Sequence, residues 1–167
     1  MKLGRYTCKV GNKLVSSNMP ATFNLPKPSN ADIMRLEQAL MALPGADTSG
    51  GDVENYFSEG LHARLLRIPA GGVVVGHIHL KGQINFLTKG TIRVTTDEGV
   101  QELTAPQIVV SGPGTKRAGF ALTDVEWVTV LATNLTDIDE MKRELLATGF
   151  DDPRLVEKLE VLCPGSQ

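Results

Sequence analysis

The sequence predicts a mainly β, single-domain fold flanked by helices. Its 167 residues suit one domain with a buried core. Between residues 61 and 133, short runs rich in β-branched and aromatic residues alternate with turn sequences such as Gly71-Gly72 and Lys89-Gly90. About eight strands at this spacing are typical of a sandwich or a small barrel.

Residues 1–60 predict an arm that carries one helix at about residues 31–43. Ser29 or Asn30 is a suitable cap. Four aliphatic residues then recur at helical spacing: Ile33, Leu36, Leu40 and Leu43. Prolines ahead of the helix predict an extended arm, which either wraps its own domain or reaches a neighbouring subunit. Residues 45–60 predict a surface connection.

Residues 135–167 predict two helices. Thr136 is a suitable cap for the first, and the acidic residues that follow it match the positive end of the helix dipole. Asp152-Pro153 opens the second helix, with proline at the first helical position. Apolar residues at helical spacing predict that both helices pack on the β domain.

Composition excludes several classes of protein. Seventeen Lys and Arg against 19 Asp and Glu give a net charge of -2, which provides no basic field for nucleic acid. No apolar run approaches the ~20 residues that span a bilayer, and the first residues lack the apolar stretch of a secretory signal. Cys8 and Cys163 lie near opposite ends of the chain and form neither a zinc knuckle nor a redox pair, so we expect a reduced intracellular chain.

The histidines indicate a candidate metal site. Alternate residues of a strand face one side of the sheet, so His77 and His79 project together, as two ligands of one metal ion do. Gln83 follows the pair, and Asn85 is in register with Gln83. His62, the third histidine of the chain, lies on the preceding predicted strand.

The spacing from Gly71 through His77-Ile78-His79 and Gln83 to Gly90 resembles the first motif of the cupin superfamily. The resemblance covers about residues 61–133. It implies a single cupin-type jelly-roll barrel, with the N-terminal arm and helix and the C-terminal helices outside the barrel.

The second cupin motif is degraded in the run GPGTKR at residues 112–117. Arg117 stands where the family has its histidine, and Ala121 stands where it has an asparagine. The resemblance implies that His77, His79, Gln83 and Arg117 point into the mouth of the barrel. A typical cupin site has three histidines and a glutamate, but Arg cannot coordinate a metal and repels a dication at ~4 Å.

Four interpretations of the site stay open. In the first, His77, His79 and Gln83 hold a divalent transition metal weakly. In the second, His62 completes a three-histidine site. In the third, Arg117 and the histidines bind a small anion, such as a carboxylate or phosphate, without a metal. In the fourth, the barrel has lost its chemistry, and Gln83 and Asn85 only satisfy the hydrogen bonds of the histidines.

The runs at 76–94 and 101–139, which include PGTKR and TDID, resemble cupin-like proteins encoded by tailed bacteriophages and prophages. This resemblance implies a phage-type protein of the host cytoplasm or the virion, with other virion proteins as candidate partners. The residues outside the barrel are ample for subunit contacts, so we also expect a homo-oligomer.

We therefore expect a non-catalytic binding or structural protein with a degenerate metal site and no cofactor. The ligand-binding residues predicted for it are His77, His79, Gln83, Asn85 and Arg117. A metal-dependent cupin enzyme of dioxygenase or isomerase type and a protein that binds a small anionic metabolite are the alternatives.

Overall fold

The structure is a computed structural model that describes residues 27–47 and 51–162. The predicted arm ahead of residue 27, Cys8 and Cys163 lie outside the described residues. The helices and strands, in chain order, are α1 (Asn30–Met41), β1 (Asp52–Ser58), β2 (Leu61–Ile68), β3 (Val73–Val75), β4 (Gln83–Lys89), β5 (Thr91–Thr96), β6 (Gly99–Thr104), β7 (Gln107–Ser111), β8 (Ala118–Ala121), β9 (Val125–Ala132), α2 (Ile138–Leu145) and α3 (Pro153–Leu162).

The strands form two antiparallel sheets. One has the order β1-β2-β9-β4-β7, and the other has the order β3-β8-β5-β6. In β2 to β9, the first strand pairs with the last and the second strand pairs with the last but one, which is the strand order of a jelly roll. The predicted mainly β jelly-roll fold is therefore confirmed. The described strands of the two sheets face each other without pairing across the gap.

An apolar core fills one end of the space between the sheets. Its buried residues come from both sheets: Ile68, Leu87, Ile92, Val94, Leu103, Ala121 and Val125. Every second residue of each strand points inward, and burying one such side chain is worth ~1.5–3 kcal/mol. Farther along the same strands, the inward positions become polar. We call this region, which contains Arg64, Gln83, Asn85, Ser111 and Arg117, the polar end.

Strand β1 corrects the prediction of a surface connection at residues 45–60. It pairs with β2 along its whole length, from Asp52 opposite Arg67 to Ser58 opposite Leu61. Six of its seven residues are exposed, so the segment lacks the alternation of apolar and polar residues that predicts a strand. Hydrogen bonds to β2, rather than burial, hold this edge strand in place.

Local side-chain hydrogen bonds set the starts of the helices. Ser29, one of the two predicted caps, caps α1, and it forms a capping box with Asp32. The cap of α2 is Asp137 rather than the predicted Thr136, because the Asp137 carboxylate accepts a hydrogen bond from the Glu140 N–H at 2.8 Å. Pro153 opens α3 as predicted. None of the three described helices has the length and apolar character needed to span a membrane.

Candidate functional site

The segment that contains His77 and His79 follows β3 rather than lying inside it. Ile78 and Leu80 alternate with the histidines and are buried against Leu155 of α3. The two imidazoles therefore turn away from that helix, to one side of the segment. His77 is exposed and His79 is half-buried.

Positive charge dominates the surroundings of these two histidines. Burial lowers the pKa of His79 to about 4, and the charges of His77 and Arg64 act in the same direction. Burial also lowers the pKa of His77. Lys116 and Arg64 add to this effect, whereas Glu37 opposes it. Both imidazoles are consequently neutral at pH 7.

Arg64 is a residue of the polar end that sequence reasoning did not single out. It lies on the inward face of β2, which also carries Leu66 and Ile68. The register places it opposite Thr129 of β9, which lies opposite Asn85 of β4. Burial lowers the pKa of its guanidinium. The available signal was weak: Arg64 alternates with Leu66 and Ile68 in the sequence, but its charge favours a solvent-facing position.

Lys116 has partners for its charge. Its Nζ donates to a Glu37 carboxylate oxygen at 2.9 Å and to the Gly76 carbonyl oxygen at 3.0 Å. The Lys116 side chain is 4% exposed, so the ion pair is largely shielded from water. This contact joins α1 to the residue that precedes His77.

A buried hydrogen-bond network is centred on Asn85. Its amide nitrogen donates to the Val109 carbonyl at 3.2 Å and to Ser111 Oγ at 3.1 Å. Its amide oxygen accepts from Trp127 Nε1 at 3.1 Å and from Thr129 Oγ1 at 2.8 Å. Two N–H groups and two lone pairs are the whole capacity of the amide. Asn85 was predicted to contact a ligand or the histidines; instead, it positions neighbouring protein groups.

Arg117 connects the two sheets at the polar end. Its Nε donates to Ser111 Oγ on β7 at 3.3 Å, and its Nη1 donates to the Thr95 carbonyl on β5 at 2.7 Å. No carboxylate of the described residues lies within 4.0 Å of its guanidinium. Burial lowers the pKa of Arg117, and the more distant charges of Asp97 and Glu98 oppose that effect. An Arg side chain has five N–H donors, so three remain without a described partner.

Gln83 lies beside this cation. It is opposite Ser111 in the β4–β7 register, and Ser111 is the residue that Arg117 Nε contacts. Within the described part of the chain, the Gln83 Oε1 atom is buried without a hydrogen-bond partner. An unpaired buried polar atom costs ~1–3 kcal/mol, and a bound hydroxyl or water that donates to it removes this cost.

His62 does not join the other histidines. It is 4% exposed, its Nε2 lies 2.9 Å from Asn55 Oδ1, and its ring stacks on Phe57 at a centroid distance of 4.9 Å. Residues 27–47 and 51–162 contain no group of three or more His, Cys, Asp or Glu side chains placed to hold a metal ion. The three-histidine interpretation is therefore wrong, because Asn55 and Phe57 engage His62 on β1.

The chemistry of the side chains does not fit the metal ion that the cupin resemblance implies. Two neutral imidazoles and one neutral amide are the potential ligands. Arg64 repels a dication near the histidines, and Arg117 repels one near Gln83. Glu37 is the carboxylate that influences His77, and it is engaged by Lys116. The positively charged guanidiniums that repel a dication attract an anion.

One surface depression lies away from the polar end. It has a volume of about 640 Å³ and lies between the end of β9 and α2, where Lys81, Asn134, Glu140 and Glu144 line it. None of the predicted site residues borders it.

No protein-family model and no curated protein matches the sequence. Solved structures similar to the chain include KdgF from Halomonas sp., at 17% identity over 56% of this chain and 87% of that chain, with a TM-score of 0.47. An RmlC-like cupin family protein from Methanocaldococcus jannaschii matches at 18% identity over 54% and 86% of the two chains, with a TM-score of 0.43. A cupin 2 domain-containing protein from Halorhodospira halophila matches at 15% identity over 60% and 82%, also with a TM-score of 0.43.

Replacing Asn85 by alanine should lower the free energy of unfolding by about 2–4 kcal/mol, because Trp127 and Thr129 lose their acceptor and a cavity remains. Urea unfolding followed by the fluorescence of Trp127, the single tryptophan of the chain, measures this loss. Asn134→Ala, at an exposed position, is the matched control and should change stability by less than about 0.5 kcal/mol. Equal effects of the two substitutions would show that the network does not stabilise the fold.

Stability should fall as the pH decreases from about 6.5 to about 4, since the pKa of His79 is lower in the folded than in the unfolded chain. Between these values the unfolded state binds a proton at His79 that the folded state does not, and below about 4 the loss is complete. Urea unfolding at several pH values in this window, for wild type and His79→Gln, isolates the contribution of His79. The variant should lose less stability than wild type, and parallel curves would contradict the assignment.

Proposed function

We propose that this protein is a non-catalytic binding protein whose polar end takes a small anionic ligand that bears a hydroxyl group. The observation that carries the proposal is the half-buried Arg117 guanidinium, which has neutral acceptors and no close carboxylate among the described residues. A partly desolvated cation gains more from an anion than a fully hydrated cation does, because screening by water is weaker there.

The hydrogen bonds of Arg117 hold the cation ready for a ligand. Ser111 Oγ and the Thr95 carbonyl fix two sides of the guanidinium, and Asn85 in turn holds Ser111. The remaining N–H groups match the oxygen spacing of a carboxylate or phosphate. Because the side chain is already ordered, less entropy is lost when an anion binds.

Gln83 supports the hydroxyl group of the proposed ligand. Its buried Oε1 is an acceptor, and an anionic oxygen cannot donate to it. A hydroxyl next to the carboxylate or phosphate can donate to Gln83 while the charged end contacts Arg117. Arg64 adds positive charge near His77 and His79 and favours the same sign of ligand.

The histidines support a role in binding rather than catalysis. A general base works best when its pKa lies near the working pH, and a pKa of about 4 makes His79 a weak base at pH 7. The metal-dependent cupin enzyme is the less favoured candidate, because Arg64 near the histidines and Arg117 near Gln83 both repel a dication.

The phage-type origin, the place in a virion or the host cytoplasm, and the contacts with other virion proteins stay predictions from the sequence resemblance. Anion binding at Arg117 is compatible with any of them.

The full chain should bind acetate weakly and glycolate about fivefold more tightly, because glycolate adds one hydroxyl and a net hydrogen bond is worth ~1 kcal/mol. NMR titrations at constant ionic strength measure both dissociation constants. Gln83→Leu should still bind acetate but lose the preference for glycolate.

Arg117→Gln should abolish the binding of both anions, and Arg117→Lys should weaken it, because a lysine keeps the charge but lacks the fork. Arg143→Gln, at an exposed position of α2, is the matched control and should leave binding unchanged. Thermal melts of each variant verify that it is folded. Equal binding by wild type and a folded Arg117→Gln variant would contradict the proposal.

A further inference from the structure

The outer face of the five-stranded sheet carries two adjacent rows of apolar residues. In the register across β2, β9, β4 and β7, the rows are Ala63–Val130–Ile84–Val110 and Leu65–Val128–Phe86–Ile108. These positions alternate with the inward side chains of the core and the polar end. We call the eight residues the outer apolar face.

This face is open to solvent at its β7 side. Val110 is 72% exposed, Ile108 is 67% exposed and Ile84 is 46% exposed. The described helices pack elsewhere: α1 contacts β3, α3 packs on the segment after β3, and α2 packs on Leu131, which alternates with the outward residues of β9. A water-facing side of an antiparallel sheet normally carries polar residues, so eight apolar positions without a polar one indicate a surface that is covered in use.

We propose that a second copy of this chain covers the outer apolar face, with a two-fold axis parallel to the strands and between β9 and β4. This inference is independent of the proposed anion binding. This axis packs each row against the same row of the second copy. Strand β9 then faces β4 of the second copy, and β2 faces β7. The axis therefore places Val130 on Ile84 of the second copy, and Ala63 on Val110.

The row next to the apolar rows favours a second copy over an unrelated partner. Arg67, Glu126 and Lys89 follow one another across β2, β9 and β4 with alternating charge. An irregularity in β4 between Leu87 and Lys89 shifts the register and brings Lys89 opposite Glu126. The proposed axis places Glu126 opposite Lys89 of the second copy and Lys89 opposite Glu126. The face is thus complementary to itself in charge as well as in apolar character.

The size of the face predicts a reversible dimer. Four strands at ~4.8 Å and three rows at ~7 Å give a side of about 20 Å in each direction. Two such pleated faces bury roughly 1,000 Å² in total, which lies near the lower limit of specific interfaces.

Sedimentation velocity of the full chain over a range of concentrations tests the proposal. Wild type should form a reversible dimer, and Val110→Glu should weaken the association at least about a hundredfold, because the dimer buries two unpaired carboxylates. Val161→Glu, at a 75% exposed position of α3, is the matched control and should leave the dimer intact. A monomeric wild-type chain, or a folded Val110→Glu variant that dimerises like wild type, would overturn the proposal.

Charge reversal tests the position of the axis. A Lys89→Glu chain carries only acidic residues at positions 89 and 126, and a Glu126→Lys chain carries only basic ones, so each should self-associate less than wild type. A mixture of the two chains should form a heterodimer about tenfold more tightly than either homodimer, because both pairs across the axis then have opposite charge. Within each variant the neighbouring charges still repel, so recovery in the mixture comes from contacts between copies. A mixture that associates no better than its components would overturn the proposed axis.

Discussion

Arg117 links the two sheets at the end of the molecule where the apolar core stops. Its guanidinium donates to Ser111 Oγ on one sheet and to the Thr95 carbonyl on the other, so it replaces apolar packing with hydrogen bonds across the gap. Ser111 is held by Asn85, which also accepts from Trp127 and Thr129. The position of the Arg117 guanidinium therefore depends on hydrogen bonds between residues inside the five-stranded sheet. The candidate site in turn depends on where this guanidinium lies.

A polar end of this kind lowers stability unless the rest of the fold compensates. The half-buried Arg64 and Arg117 lose hydration, and the buried Gln83 Oε1 lacks a described partner. The apolar core at the other end and the completed hydrogen bonds of Asn85 offset these costs. Proteins tolerate such local departures from good packing mainly at functional sites, which is why the polar end is the candidate site.

Much of the fold was predictable because turns and alternation are local properties of the sequence. The strands from β2 to β9, the cap of α1 and the start of α3 at Pro153 followed from short-range patterns. Strand β1 was missed because its stability comes from pairing with β2, and its exposed residues carry no alternation. Arg64 was missed for a related reason: in LHARLLRIP its charge suggests a solvent-facing position, and the register that turns it inward depends on β9.

The site was harder to predict, because its contacts join residues that are distant in the chain. Asn85 was expected to contact a ligand, yet β7 and β9 use all its hydrogen-bonding groups. The roles of His77, His79, Gln83 and Arg117 in ligand binding stay predictions.

The most direct test of the central claim, that the polar end selects an anion rather than a metal ion, is anomalous diffraction from crystals of the full chain soaked in selenate and cobalt(II), recorded at both absorption edges. The expected result is a selenium peak within hydrogen-bond distance of the Arg117 guanidinium and no cobalt peak at the histidines. A cobalt peak bound to His77, His79 and Gln83, with no selenium at Arg117, would contradict the claim.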